Sequence, residues 1–151
     1  MQGFSVKIRL LILGLAGIAI AASPASGREW RVGMVNRGAN GTMDFTPAFL
    51  RVAPGDAVRF GAQDKSHNAE SIPELTPAGG GFFKGNLNKD VVVKFTRPGL
   101  YAYKCLPHYA MGMVGLVEVG KPVNLAAFKS AVGRLPPFAK LRMTKFLQQV
   151  K

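Results

Sequence analysis

Between Trp30 and Gly120 the apolar residues fall in short runs broken by turn-forming residues, a rhythm of strands rather than of long helices. The stretch REWRVGMVN (28–36) predicts a strand, and RGANG (37–41) ends it with glycine and asparagine. FTPAFLRVAPGD (45–56) predicts a short extended piece and then a turn at Pro54, Gly55 and Asp56. AVRFGAQD (57–64) alternates apolar and polar positions, as a half-buried strand does. SIPELTPAGGGFFKGN (71–86) holds two prolines and four glycines and predicts a long irregular connection. KDVVVKFT (89–96) is rich in β-branched residues and is stopped by RPG, after which LYAYKC and MVGLVEV predict two strands around a loop. About seven such pieces at this turn spacing predict an all-β, antiparallel sandwich.

The period changes after Gly120. Asn124 is placed to cap a helix in which Leu125, Phe128 and Val132 recur at i, i+3 and i+7. Pro136 and Pro137 stop it and start a second helix through Gln149, with Phe138, Leu141, Phe146 and Val150 as a rougher apolar stripe. Residues 121–151 therefore read as a helical cover on one sheet face of the domain formed by 28–120. There is no internal repeat. At the other end, Lys7 and Arg9 precede the apolar run Leu10–Ala22, and small residues follow. That order is that of a secretory signal peptide over residues 1–25, cleaved at 25–27. The run is shorter than the roughly 20 residues that span a bilayer. The expectation is an exported, periplasmic chain with no stable membrane insertion.

At 151 residues there is room for one ordinary core. The formal charge is +12, or +10 without Lys7 and Arg9, so the surface favours an acidic partner. Nucleic acid is disfavoured, because no recognised binding motif is present and export removes the usual target. Export also makes the single cysteine unusual. Oxidising compartments favour paired cysteines, yet Cys105 has no second cysteine in the chain to pair with.

Cys105 lies in KCLPHYAMGM (104–113), between two predicted strands. Cys-x-x-His-x-x-x-x-Met puts a thiolate, an imidazole and a thioether on one hairpin-like loop. Pro107 stiffens that loop beside His108, and Gly112 relaxes the backbone before Met113. The only other histidine, His67, stands in DKSHNAE (64–70), where a strand gives way to a loop. Two imidazoles, one thiolate and a weak thioether are the ligand set of a blue-copper electron-transfer site. Other readings remain open on residue types alone. Met111 and Met113 suit core packing; Cys105 suits a structural thiol, or a nucleophile with either histidine as base. Zinc would prefer a further cysteine or histidine to the thioether.

The segments NRGANGTMDFTPAFL, PGDAVRF, DKSHNAESI, FFKGNLN and PGLYAYKCLPHYAMGMVGLVEVG, with the helical tail, resemble the cupredoxins, and among them most closely the pseudoazurins, from about Trp30 onward. The resemblance implies a Greek-key β-sandwich or barrel with two C-terminal helices, and one type 1 copper ion per chain held by His67, Cys105, His108 and Met113. Asn68 would tie the ligand loops together or place an amide near the sulfur. The implied role is that of a monomeric one-electron carrier, not an enzyme, with a copper-binding or copper-delivery protein as the alternative. His108 would be the electron port, rimmed by Pro107, Met111 and Met43. Arg37, Lys65, Lys84 and Lys104 would form a basic ring for acidic redox partners: nitrite reductase, nitrous oxide reductase or a cytochrome. Two residues depart from the family pattern. Ser66 replaces a usual glycine, and Asp44 a usual apolar residue; both bear on tuning and docking.

Overall fold

The computed structural model describes residues 27–151; the expected signal peptide lies outside the described residues. Eight strands form two four-stranded sheets. Their ranges are β1 (Glu29–Gly38), β2 (Gly41–Thr46), β3 (Phe49–Val52), β4 (Ala57–Ala62), β5 (Glu70–Ser71), β6 (Val91–Lys94), β7 (Gly99–Lys104) and β8 (Val114–Val119). One sheet has the order β2-β1-β4-β6 and the other β3-β8-β7-β5. Two helices follow, α1 (Leu125–Val132) and α2 (Pro137–Leu147). This is the expected sandwich with helices on one side, but its sheets are mixed. β1 runs parallel to β4, and β3 parallel to β8, because successive strands cross between sheets instead of always pairing with their neighbours.

The elements follow their sequence patterns where one face alone is buried. β4 alternates buried and half-buried positions, and β6 half-buried and exposed ones. β8 is buried at every position. Its strand sits between the other sheet and α2, so both faces need apolar residues. The centre of the sandwich is an aromatic cluster: Tyr103 meets Phe45 and Phe60 edge-on, with ring centroids 4.7 and 4.8 Å apart. Gly115 pairs with Tyr103 across the β7–β8 ladder, and a Cβ there would run into the tyrosine ring.

Two local expectations are corrected, and one strand had no expectation of its own. GTMDFT forms β2, although glycine and Asp44 interrupt its apolar pattern; pairing with β1 supplies what propensity lacks. Asn124 stands at the start of α1 but does not cap it. Its side chain accepts from the Leu100 N–H at 2.7 Å and donates to the Leu100 carbonyl at 3.0 Å, fixing the start of β7. The buried face of α2 is Ala139, Met143 and Phe146, while Phe138 and Leu141 are 62% and 56% exposed. The helix is rotated from the expected stripe, and it ends at Leu147 rather than Gln149.

The Pro54-Gly55-Asp56 turn has a further role. The Asp56 carboxylate accepts from the Arg28 and Ala53 N–H groups and from Trp30 Nε1, at 2.8, 3.0 and 2.8 Å. The Trp30 bond first, then the two backbone bonds, hold its pKa below the ordinary carboxylate value. Asp56→Asn turns an amide NH₂ toward these donors and is expected to cost about 2 kcal/mol in denaturant unfolding near neutral pH. Because the folded-state pKa is depressed, the carboxylate's contribution is present above the unfolded pKa of about 3.9 and lost as pH falls through the folded value. The wild-type advantage should hold above about pH 5 and shrink under more acidic conditions; a pH-independent difference would contradict this account.

Candidate metal centre

Two loops at one end of the sandwich carry the site. The first follows β4 and contains His67; the second joins β7 to β8 and contains Cys105, His108 and Met113. Cys105 leaves β7 with its N–H bonded to the Met113 carbonyl at 3.0 Å, and the Met113 N–H bonds the His108 carbonyl at 3.1 Å. Those two bonds draw the nine-residue loop from Cys105 to Met113 closed. Gly112 makes the turn possible: its φ is +89°, and the first turn of α2 lies where a Cβ would point.

The loops bring His67, Cys105 and His108 together, with one ligand atom from each within 4.8 Å of the others. Cys105 Sγ is 3.7 Å from His67 Nδ1 and 3.5 Å from His108 Nδ1, and the two Nδ1 atoms are 3.2 Å apart. Met113 is fully buried, and its backbone is bonded to both Cys105 and His108. Burial, and then repulsion from His108, hold the His67 pKa below that of a free imidazole, so its lone pair is available near neutrality. Burial pushes the Cys105 thiol up, while the backbone N–H groups of Asn68 and His108 pull it the other way. A cation bound here must therefore displace the thiol proton. Two facing imidazole lone pairs beside a buried sulfur fit a borderline-soft metal. The thiolate and thioether further favour copper.

The surrounding residues set the ligands' orientation. His67 Nε2 lies 3.0 Å from Asn36 Oδ1 on β1; a proton donated there leaves Nδ1 free to ligate. Asn36 is absent from the sequence-derived site, because an asparagine near a strand end carries no metal signal of its own. Asn68 bridges the loops: its Oδ1 accepts from the Leu106 N–H at 2.7 Å, and its Nδ2 donates to Glu70 and the Gly85 carbonyl, each at 3.2 Å. Ser66, before His67, has φ +72°. That left-handed conformation favours the glycine usual in the resembling family.

The expected docking residues differ in their surroundings. Pro107 and Met111 are exposed beside the half-buried His108, and Met43 is half-buried with φ +52°. Arg37, Lys65 and Lys84 are exposed and form no ion pair among the described residues. Each adjoins the site: Arg37 follows Asn36, Lys65 precedes the His67 loop's strained Ser66, and Lys84 precedes Gly85. Lys104 departs from expectation. Its ammonium is 3.5 Å from the buried Glu70 carboxylate and lies 4.7 Å from the centre of the Tyr109 ring. It is thus paired within the fold, unlike the other three basic residues.

Asn36→Ala removes the bond that orients His67, and copper affinity is expected to fall about tenfold in a competition titration, with the fold's circular dichroism retained. Unchanged affinity would rule out this orienting role.

Known proteins supply an independent comparison. The family described as "Copper binding proteins, plastocyanin/azurin family" matches residues 32–120. A pseudoazurin from Paracoccus pantotrophus is 45% identical over 141 residues, covering 93% of this chain and 96% of that protein. One from Methylorubrum extorquens is 46% identical over 123 residues, 80% of this chain and 83% of its own. The crystal structure of native pseudoazurin from Hyphomicrobium denitrificans superimposes with a TM-score of 0.77 at 46% identity, covering 82% of this chain and 98% of that one. With the thiolate and two imidazoles converging as copper requires, the chain belongs to the plastocyanin/azurin family of copper-binding proteins, within its pseudoazurin group, and is a blue-copper electron carrier rather than an enzyme.

Proposed function

We propose that the chain is a periplasmic one-electron carrier, with His67, Cys105, His108 and Met113 as copper ligands and His108 as the point of electron entry and exit. The observation that carries this reading is an asymmetry of burial. His67, Cys105 and Met113 are each 0% exposed, whereas His108 is half-buried among exposed Leu106, Pro107 and Met111. Copper held there supplies a reversible one-electron couple. The protein's part is to keep the donors in place. His67 is held through Asn36, and the Cys105 loop is closed by backbone bonds and tied to the His67 loop by Asn68. A scaffold fixed in this way keeps structural change small when charge arrives or leaves. Export to the periplasm is supported by the basic, apolar and small-residue order at the N-terminus. Among the described residues no helix is long and apolar enough to cross a membrane.

The partner in this reading is an acidic redox protein: nitrite reductase, nitrous oxide reductase or a cytochrome. The apolar rim at Pro107 and Met111 would meet it, and Arg37, Lys65 and Lys84 would steer it. Lys104 is left out because Glu70 already holds its ammonium. Such encounters bury less than about 1,200 Å² in all, and the chain itself acts as a monomer.

One equivalent of Cu(II) added to the metal-free chain is expected to produce an intense visible thiolate-to-copper band, absent in Cys105→Ser. A pale wild-type solution would overturn the copper assignment. The association rate with an acidic redox partner should fall as ionic strength rises from low values to about 0.1 M, where the Debye length is about 10 Å. Stopped-flow rates that do not change with salt would remove the steering role of the basic residues.

A further inference from the structure

Among the described residues, helix α2 hydrogen-bonds the metal loop through one side chain. Arg142 is 13% exposed at its side chain and donates to three backbone carbonyls on two separate segments. Its guanidinium reaches Met43 O at 2.7 Å and Thr42 O at 2.8 Å on β2, and Gly112 O at 3.0 Å on the ligand loop. These carbonyls carry no formal charge. The counter-charge is Asp44, fully buried, with Oδ1 3.8 Å from Arg142. Asp44 is itself held by the Asn40 N–H at 2.9 Å and by Asn40 Nδ2 at 3.1 and 3.2 Å. Gly38 leaves room for the carboxylate, because a Cβ there would collide with it.

A buried ion pair is a weak contributor to stability, since desolvation opposes the Coulombic gain, so the position of this one matters more than its strength. Gly112 immediately precedes Met113, and its carbonyl also accepts the Val114 N–H at 2.9 Å. An axial thioether binds copper weakly and at long range, and the potential depends on it. A weak bond cannot set its own length against a stiff loop; the loop's anchorage decides it.

We propose that Asp44 and Arg142 form a positioning clamp for the axial ligand, in which α2 holds the Gly112 carbonyl through Arg142 and Asp44 keeps the guanidinium in place. This rests on the assignment of Met113 as the axial copper ligand. The clamp also joins Met43, whose left-handed backbone is held by the same guanidinium, to the ligand loop. Asp44 thus turns a departure from the family pattern into a tuning element particular to this chain.

Asp44→Asn nearly preserves shape while removing the counter-charge, and Arg142→Lys keeps the charge but puts all its donors on one nitrogen, without the planar fork whose two nitrogens share these carbonyls. Arg51→Gln serves as the control. Arg51 ties the Gln149 carbonyl beyond α2 to Glu118, away from the ligand loop. In the metal-free chains, amide hydrogen exchange at Met113 and Val114 should quicken in Asp44→Asn and Arg142→Lys but not in Arg51→Gln. In the copper-loaded chains the same two variants should alter the intensity ratio of the visible copper bands. They should also change the ratio of Cu(II) to Cu(I) affinity by up to about tenfold, equivalent to ~59 mV for one electron. If both variants merely lower unfolding stability, as Arg51→Gln should, and leave exchange, bands and potential at wild-type values, the clamp is only a helix staple and the proposal fails. A wild-type chain lacking the intense band would instead overturn the copper assignment, and exchange in the metal-free variants would still decide whether the clamp exists.

Discussion

The bond from the Leu106 N–H to Asn68 Oδ1, 2.7 Å long, joins the two loops on which the site depends. Asn68 follows His67 and Leu106 follows Cys105, so one amide side chain fixes the separation of the first imidazole and the sulfur. Both asparagine termini are used, since Nδ2 bonds Glu70 and the Gly85 carbonyl. A buried amide with every neighbour satisfied is stiff, and an unsatisfied one is costly. The sandwich beneath serves this bond: β4 and β7 belong to different sheets, and the aromatic cluster of Phe45, Phe60 and Tyr103 sets how far apart those sheets stand.

Charge is organised on the same principle. Of the basic residues near the site, Lys104 and Arg142 are turned inward, one to Glu70 and the other to Asp44 and three carbonyls. Arg37, Lys65 and Lys84 are left in solvent. The basic excess is therefore divided between cations that hold the loops and cations left in solvent around the site. Exposed pairs add little to stability, so the unpaired surface cations are free to act over distance, where salt screening governs them.

The C-terminal helices do more than cover a sheet. The first turn of α2 lies against Gly112, and its middle reaches β2 through Arg142. Its exposed Phe138 and Leu141 lie off the buried face formed by Ala139, Met143 and Phe146. A helix judged by its apolar residues alone would be docked with Phe138 and Leu141 inside, whereas of that stripe only Phe146 is buried and Val150 packs against the core. Here the small Ala139 allows close approach, and the larger residues on that face fill the space around it.

Much of the site was legible because ligand chemistry is local. Cys105, His108 and Met113 share one loop, and a chain with two histidines offers only His67 as the remaining imidazole. Most of the strands and the helical tail were legible too, because turns and periodicity are written residue by residue. What tertiary structure decided is everything that needs two distant segments at once. β2 forms because β1 pairs with it, Asn124 serves β7 rather than its own helix, and Asn36 orients a histidine 31 residues away. Likewise the charges of Lys104 and Arg142 turn inward only because Glu70 and Asp44 are folded against them. Residue type determines which bonds a side chain can make; only the packed fold determines which partner stands within reach.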